Sequence, residues 1–191
     1  MKSEPQALAQ HETPFSADLP EELVVLLDEA ENPVGTYPKS TVHTRETPLH
    51  LAFSCHVIHP TSGYILVTRR ALGKATWPGV WTNSFCGHPA PGETPEEAVA
   101  RRAFQELGMQ VERVTPILPD FRYRAVDASG IVENEVCPVF TAVAVGEPNP
   151  SPDEVAEWAW IAPDALRASV AAAPFAWSPW LGWQLEAWPR A

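Results

Sequence analysis

The chain has 191 residues, 45% of them hydrophobic, and a formal net charge of −11, a length and apolar content that fit one domain with a real core and exclude a disordered chain. Twenty-one prolines and ten glycines mark many turns and short elements without reaching the ~25–30% that signals low complexity. No apolar run is long enough for a membrane-spanning helix, and three cysteines without CxxC spacing exclude a disulfide framework and a zinc ribbon.

The first residues show neither a basic n-region nor an apolar h-region, so a cytoplasmic protein is expected. Net acidity argues against nucleic acid as a partner, because coating it needs clustered Lys and Arg. The charge is unevenly spread. Residues 39–124 hold ten of the thirteen basic residues against seven acids, so this window is +3 and the remainder −14. A small anionic substrate held by the middle of the chain fits that asymmetry, and so does a chance spread of solvated charge.

Residues 1–20 read as a flexible polar lead-in, and 21–191 as one domain. ELVVLLD (22–28) is the first strand candidate, followed by the turn-like ENPVG and a polar stretch, KSTVHTRETP, without periodicity. LHLAFSCHVIH (49–59) and YILVTRR (64–70) flank PTSG as a hairpin, followed by a Trp/Pro/Gly loop (72–81) and a short strand or loop, TNSFCGHP (82–89). The spacing predicts a helix over 95–107: Thr94 caps it, Pro95 suits its first turn, Glu97 completes a T-x-x-E box and Gly108 closes it. Val99, Ala103 and Leu107 form its apolar stripe, with a Glu97/Arg101 pair expected on the far side and Arg102 and Glu106 along the edge. ILPDFRYRAV (117–126) and IVENEVCPVFTAVAV (131–145) flank DASG as a second long hairpin. A last strand (155–161) and two proline-started helices (163–171 and 178–188) follow. Mixed strands with a few helices, and no repeat or linker, make this one α/β or α+β domain.

Cys86 lies two residues before His88 in a Gly/Pro-rich segment, where a thiol could act as nucleophile or proton carrier; a lone Cys is more often a small buried hydrophobe, and Cys55 and Cys137 read that way. Glu133 and Glu135 stand two apart in a strand and so share a face. Two adjacent carboxylates repel unless a cation or shared proton lies between them, and such a pair in a Val/Ile/Phe-rich strand is either a solvated face or a metal site. With His43, His50 and His88 they would supply five ligands, too many for a closed four-coordinate zinc site and suited to six-coordinate Mn or Mg. His11, His56 and His59 are left as structural or surface residues.

GHPAPGETPEEAVARRAFQELGM (87–109) resembles the Nudix box, G-x(5)-E-x(7)-R-E-U-x-E-E-x-G-U, with Gly87, Glu93, Arg101, Glu106 and Gly108 in register. Arg102 and Gln105 replace two of its glutamates. In Nudix hydrolases those acids hold the metals that activate water, and exchanging a carboxylate for a guanidinium removes a cation ligand and supplies an anion clamp. The box thus reads as kept for fold and diphosphate grip without hydrolysis.

LHLAFS, ILVTRRAL, WPGVWTNSFCGHP, PDFRYRA and SGIVENEVCPVF together resemble the type I isopentenyl-diphosphate isomerase family over roughly residues 22–183. The resemblance implies a Nudix-type mixed sheet sandwiched between helices and the interconversion of isopentenyl and dimethylallyl diphosphate through a tertiary carbocation-like state. It implies Cys86 and Glu135 as the two catalytic groups, Tyr123 as the phenol on Glu135, and Trp180 as the indole facing the reacting carbon. It further implies one divalent metal (Mn, Mg or Zn) on His43, His50, His88, Glu133 and Glu135, and a second Mg on Glu106 with the substrate diphosphate. Lys39, Arg70, Lys74 and Arg102 match diphosphate contacts. A prenyl diphosphate is the expected partner, with no membrane and a monomer or weak dimer.

Overall fold

A computed structural model describes residues 21–188; the lead-in expected over 1–20 lies outside the described residues. The elements run β1 (Leu23–Leu27), β2 (Pro33–Pro38), α1 (Lys39–Val42), β3 (His50–Leu51), β4 (Phe53–Ile58), β5 (Ile65–Arg70), β6 (Trp81–Thr82) and β7 (Phe85–Gly87). Then come α2 (Pro95–Leu107), β8 (Gln110–Leu118), β9 (Arg122–Val126), β10 (Val132–Val136), β11 (Val139–Val145), β12 (Val155–Ile161), α3 (Pro163–Ala172) and α4 (Pro179–Ala187). Strands pair into a five-stranded sheet, β2-β1-β3-β10-β9, and a larger one, β12-β5-β4-β11-β8, to which β6 and β7 attach at β5 and β4.

Alternation along the central strands builds the layers. Phe53, Cys55 and Val57 of β4 and Leu66 of β5 join Val99, Ala103 and Leu107 of α2 in one core. Ile65 and Val67, pointing the other way, pack against Leu166 of α3 and Leu181 and Leu185 of α4. The larger sheet is therefore covered by helices on both faces, and its middle strands are apolar nearly throughout.

Three sequence expectations differ from the structure. The stretch 131–145 was expected as one strand and 117–126 as its hairpin partner, but both break. β9 and β10 pair in the smaller sheet while β8 and β11 pair in the larger one. Each crossing carries a proline, Pro119 and Pro138, which has no N–H to continue a ladder. The chain makes the same change between β3 and β4 at Ala52, whose N–H donates to the Val136 carbonyl. β2 lies in the stretch read as turn and polar segment; it is mostly exposed on the sheet edge, where no alternation is demanded.

The helix over 95–107 forms as predicted. Thr94 Oγ1 accepts from the Glu97 N–H while the Glu97 carboxylate accepts from the Thr94 N–H. That use of Glu97 overturns its pairing with Arg101, which binds Glu93 instead, Nε to Oε1 and Nη2 to Oε2, both at 2.7 Å. Gly108 closes the helix with φ 60, and a Cβ there would lie 2.2 Å from the Asn149 carbonyl oxygen. Gly108→Ala should therefore destabilise the fold by more than the ~1–2 kcal/mol that a left-handed residue costs alone, read as a lowered urea midpoint.

Candidate active site

The strand changes place a cavity of about 440 Å³ beside the smaller sheet, α1 and the edge of α2. Twelve of the thirteen residues singled out above line it; His50 does not, being fully buried behind the wall.

Lateral register assembles the acidic end. On β10, Glu135 pairs with His50 of β3 on one side and Tyr123 of β9 on the other. Tyr123 Oη accordingly donates to Glu135 Oε2 at 2.8 Å. Glu135 Oε1 lies 3.5 Å from His50 Nε2 and 3.4 Å from His88 Nε2. Burial by itself would raise the Glu135 pKa, but the hydrogen bonds from His50 and His88 outweigh it and hold the carboxylate well below its usual range. Burial drives the Tyr123 phenol well above its usual value, so it stays a donor. Glu133, two residues back on the same face, places Oε2 3.0 Å from His43 Nε2 and accepts from Thr76 Oγ1 at 2.7 Å.

This donor set fits a divalent cation. One ligand atom each from His43, His50, His88 and Glu135 lies within 4.8 Å of the others, close to the ~4.4 Å that opposite ligands at ~2.2 Å from one ion would span. His50 is oriented by Nδ1, which faces the Pro48 carbonyl at 2.9 Å, leaving Nε2 turned to the cluster. His43 Nε2 is buried without a hydrogen bond of acceptable geometry. An imidazole nitrogen turned inward beside a carboxylate, without a well-formed hydrogen bond to it, suits a metal ligand. The Arg101 guanidinium, by binding both Glu93 and the His88 carbonyl, ties the loop that carries His88 to α2.

Facing this cluster is a thiol. Cys86 sits on β7 directly opposite Ser54 of β4, half-buried, and burial pushes it up to about 12. Trp180, 2% exposed, closes the same wall: its Nε1 donates to Asn83 Oδ1 at 3.0 Å and its ring packs against Trp77 and Tyr123. Arg70 lies 5.7 Å from the Trp180 ring centre and is held by the Thr76 carbonyl through Nε and Nη2. Arg69 points away to Glu157, as alternation in a strand requires.

The cationic end and its Arg102/Glu106 neighbours one helical turn apart were legible in the sequence, but the partners Glu22 and Glu154 were not. Lys39 pairs with Glu22 at 2.5 Å, Lys74 with Glu154, and Arg102 with Glu106, Glu22 and Glu154 at 2.5, 3.5 and 3.3 Å. Burial holds Glu106 above the usual carboxylate range in spite of Arg102. Glu22 and Glu154 come from opposite ends of the described chain, so no local motif announces them. Ser54, Asn83 and Gln184 also escaped the sequence reading, and His56, left as structural or surface, is fully buried. The available signal was polarity: Ser54 and His56 alternate with apolar residues in β4, and Gln184 stands among Trp180, Leu181 and Leu185 on the buried face of α4.

A model of the NUDIX domain matches residues 48–181. A protein of Leifsonia xyli named isopentenyl-diphosphate Delta-isomerase is 65% identical over 170 residues, covering 88% of this chain and 91% of the relative. Proteins of the same name from Clavibacter michiganensis (64% identity, 86% of this chain, 84% of the relative) and Corynebacterium glutamicum (57%, 87% and 90%) are similar as well. Among solved structures, DR0079 from Deinococcus radiodurans superposes with a TM-score of 0.69 at 20% identity, over 88% of this chain and 100% of that one. A Nudix-family hydrolase from Clostridium perfringens gives 0.51 at 16% identity over 72% and 93%. These two likenesses establish the fold alone.

Proposed function

The chain belongs to the Nudix family and, within it, to the isopentenyl-diphosphate Delta-isomerases, which interconvert isopentenyl and dimethylallyl diphosphate, and from that premise we propose that Cys86 and Glu135 move the two protons of the reaction. The observation that carries this reading is the convergence of a thiol, a phenol-bonded carboxylate, an indole and four cations on one cavity.

In the direction of dimethylallyl diphosphate, the alkene π pair takes a proton at the terminal carbon, positive charge develops at the tertiary centre, and a C–H pair on the neighbouring carbon becomes the new double bond as its proton leaves. One proton enters and one departs. An unactivated alkene is a very poor base, so the donor must be a strong acid aimed at the carbon with water kept out. A divalent cation (Mn, Mg or Zn) on His43, His50, His88, Glu133 and Glu135 would supply the charge that strengthens that acid. Cys86 and Glu135 serve one proton each, and their roles exchange when the reaction runs backward.

Lys39, Arg70, Lys74 and Arg102 hold the diphosphate in this reading, exchanging the carboxylates of Glu22, Glu106 and Glu154 for phosphate oxygens. Mg arriving with the substrate is assigned to Glu106, where it would neutralise diphosphate charge. Binding energy spent on the charged head becomes positional accuracy at the five-carbon tail. Arg102 and Gln105, standing where the box has glutamates, weigh against hydrolysis. All these groups come from one chain, which supports a monomer or weak dimer. Three free thiols fit a cytoplasmic setting, and among the described residues no helix is long and apolar enough to cross a membrane.

Incubation with isopentenyl diphosphate and Mg in deuterated water tests the reading: deuterium should enter a product that keeps both phosphates. Released phosphate would point to a hydrolase, and an unchanged substrate to a binding module. The indole gives a further test, because a π face stabilises positive charge without offering a lone pair that would trap it, worth ~2 kcal/mol when desolvated. Trp180→Leu should lower kcat on the order of 30-fold with little change in KM, and Trp180→Phe should recover most of the rate. An effect confined to KM would contradict this role.

A further inference from the structure

A line of buried polar side chains runs to Cys86 from the side away from the cavity, and the proton-transfer reading above does not use it. His56 Nε2 lies 3.0 Å from Gln184 Oε1, Gln184 Nε2 donates to Ser54 Oγ at 2.8 Å, and Ser54 Oγ lies 3.1 Å from Cys86 Sγ. His56, Gln184 and Ser54 are each 0% exposed. Their convergence follows from the fold: Ser54 and His56 are on the β4 face opposite Phe53, Cys55 and Val57, which pack under α2, and Gln184 comes down on them from α4.

The direction of the line is set by what is unpaired. Burial pushes His56 down to about 4, so the ring is neutral and carries a single N–H. Its Nδ1 is buried without a partner. Were the proton there, a buried donor would be orphaned, which costs more than a bare lone pair. The proton is therefore on Nε2 and is donated to Gln184 Oε1, which turns the amide N–H toward Ser54. Having accepted there, the Ser54 hydroxyl gives its hydrogen to a sulfur; Cys86 at 3.1 Å is nearer than Cys137 at 3.5 Å. On the other flank, the Cys86 thiol donates to Asn83 Oδ1 at 3.4 Å, a long bond to an oxygen that also accepts from Thr82 Oγ1 at 2.9 Å and Trp180 Nε1 at 3.0 Å. With Ser54 donating to the sulfur and Asn83 Oδ1 shared among three donors, the thiol hydrogen is loosely held and free to turn to the cavity.

We propose that His56, Gln184 and Ser54 form a one-way hydrogen-bond line that fixes Cys86 Sγ for proton exchange with the substrate, with Ser54 and Gln184 as positioning residues. The proposal rests on Cys86 being one of the two proton-transfer groups.

Steady-state kinetics of Ser54→Ala, Gln184→Met and the double variant test it, with thermal melting to establish that each is folded. Loss of a hydrogen bond to a charge-bearing group corresponds to a roughly 10- to 100-fold fall in kcat, with KM within about twofold. Because Gln184 acts through Ser54, the double variant should be no slower than Ser54→Ala alone. Gln184→Glu, whose carboxylate accepts from both neighbours and draws the hydroxyl hydrogen off the sulfur, should be as slow as Ser54→Ala. Should Gln184→Met fail to fold, Ser54→Ala against Ser54→Thr, which keeps a hydroxyl and should recover rate, carries the test. Unchanged kcat in Ser54→Ala, or multiplying effects in the double variant, would overturn the line while leaving the isomerase reading intact. Full activity in Cys86→Ala would instead overturn the premise.

Discussion

Cys86→Ala should fold and turn over no substrate, with kcat down by at least the ~10²–10⁴ that a positioned acid or base contributes. The variant removes one sulfur from a half-buried site and leaves only the Ser54 and Asn83 contacts unmet, a cost of about 1 kcal/mol. Stability and activity should therefore separate cleanly, measured as a melting transition lowered by only about 2–4 °C beside a lost deuterium exchange. Burial pushes the thiol up to about 12, so the S–H form prevails at neutral pH. The reactive thiolate grows tenfold per pH unit below that value, and alkylation of Cys86 by a neutral haloacetamide should climb across pH 7–10 without a plateau. A plateau near pH 8 would contradict the raised thiol pKa, and near-full turnover by the alanine variant would remove Cys86 from the reaction.

Glu135→Gln should lose turnover by a similar factor and also hold less metal, measured as divalent ion per chain after dialysis. The amide fills the same space. Its oxygen still accepts from Tyr123, and its NH₂ can face the imidazole nitrogens of His50 and His88, so the fold has little reason to suffer. What disappears is a charge and a reversible proton site at a residue that both lines the cavity and lies against His50 and His88. Retained activity would sink the assignment. Lost turnover with full metal content would restrict Glu135 to proton transfer.

Much of this molecule could be read along the chain. The capping box at Thr94 and Glu97, the proline in the first turn and the glycine at 108 determine α2 within fifteen consecutive residues, because a helix end is satisfied by neighbours three or four positions away. Alternation likewise places Glu133 with Glu135 and Ser54 with His56 on shared faces, since side chains in a strand repeat every second residue. The Nudix box at 87–109, with Arg102 and Gln105 in place of two glutamates, was recognisable in the sequence and lies within the stretch that the NUDIX domain model matches. Tertiary structure decided which faces meet. Glu135 lies between His50 and Tyr123 because β3, β10 and β9 pair in that register, and two proline-marked crossings carry the chain between sheets. Lys39 and Arg102 share Glu22, and Cys86 gains Ser54, only through contacts spanning 17 to 80 residues. Lateral register and sheet assignment are settled by how much apolar surface the whole fold buries, and no short stretch of sequence contains that sum.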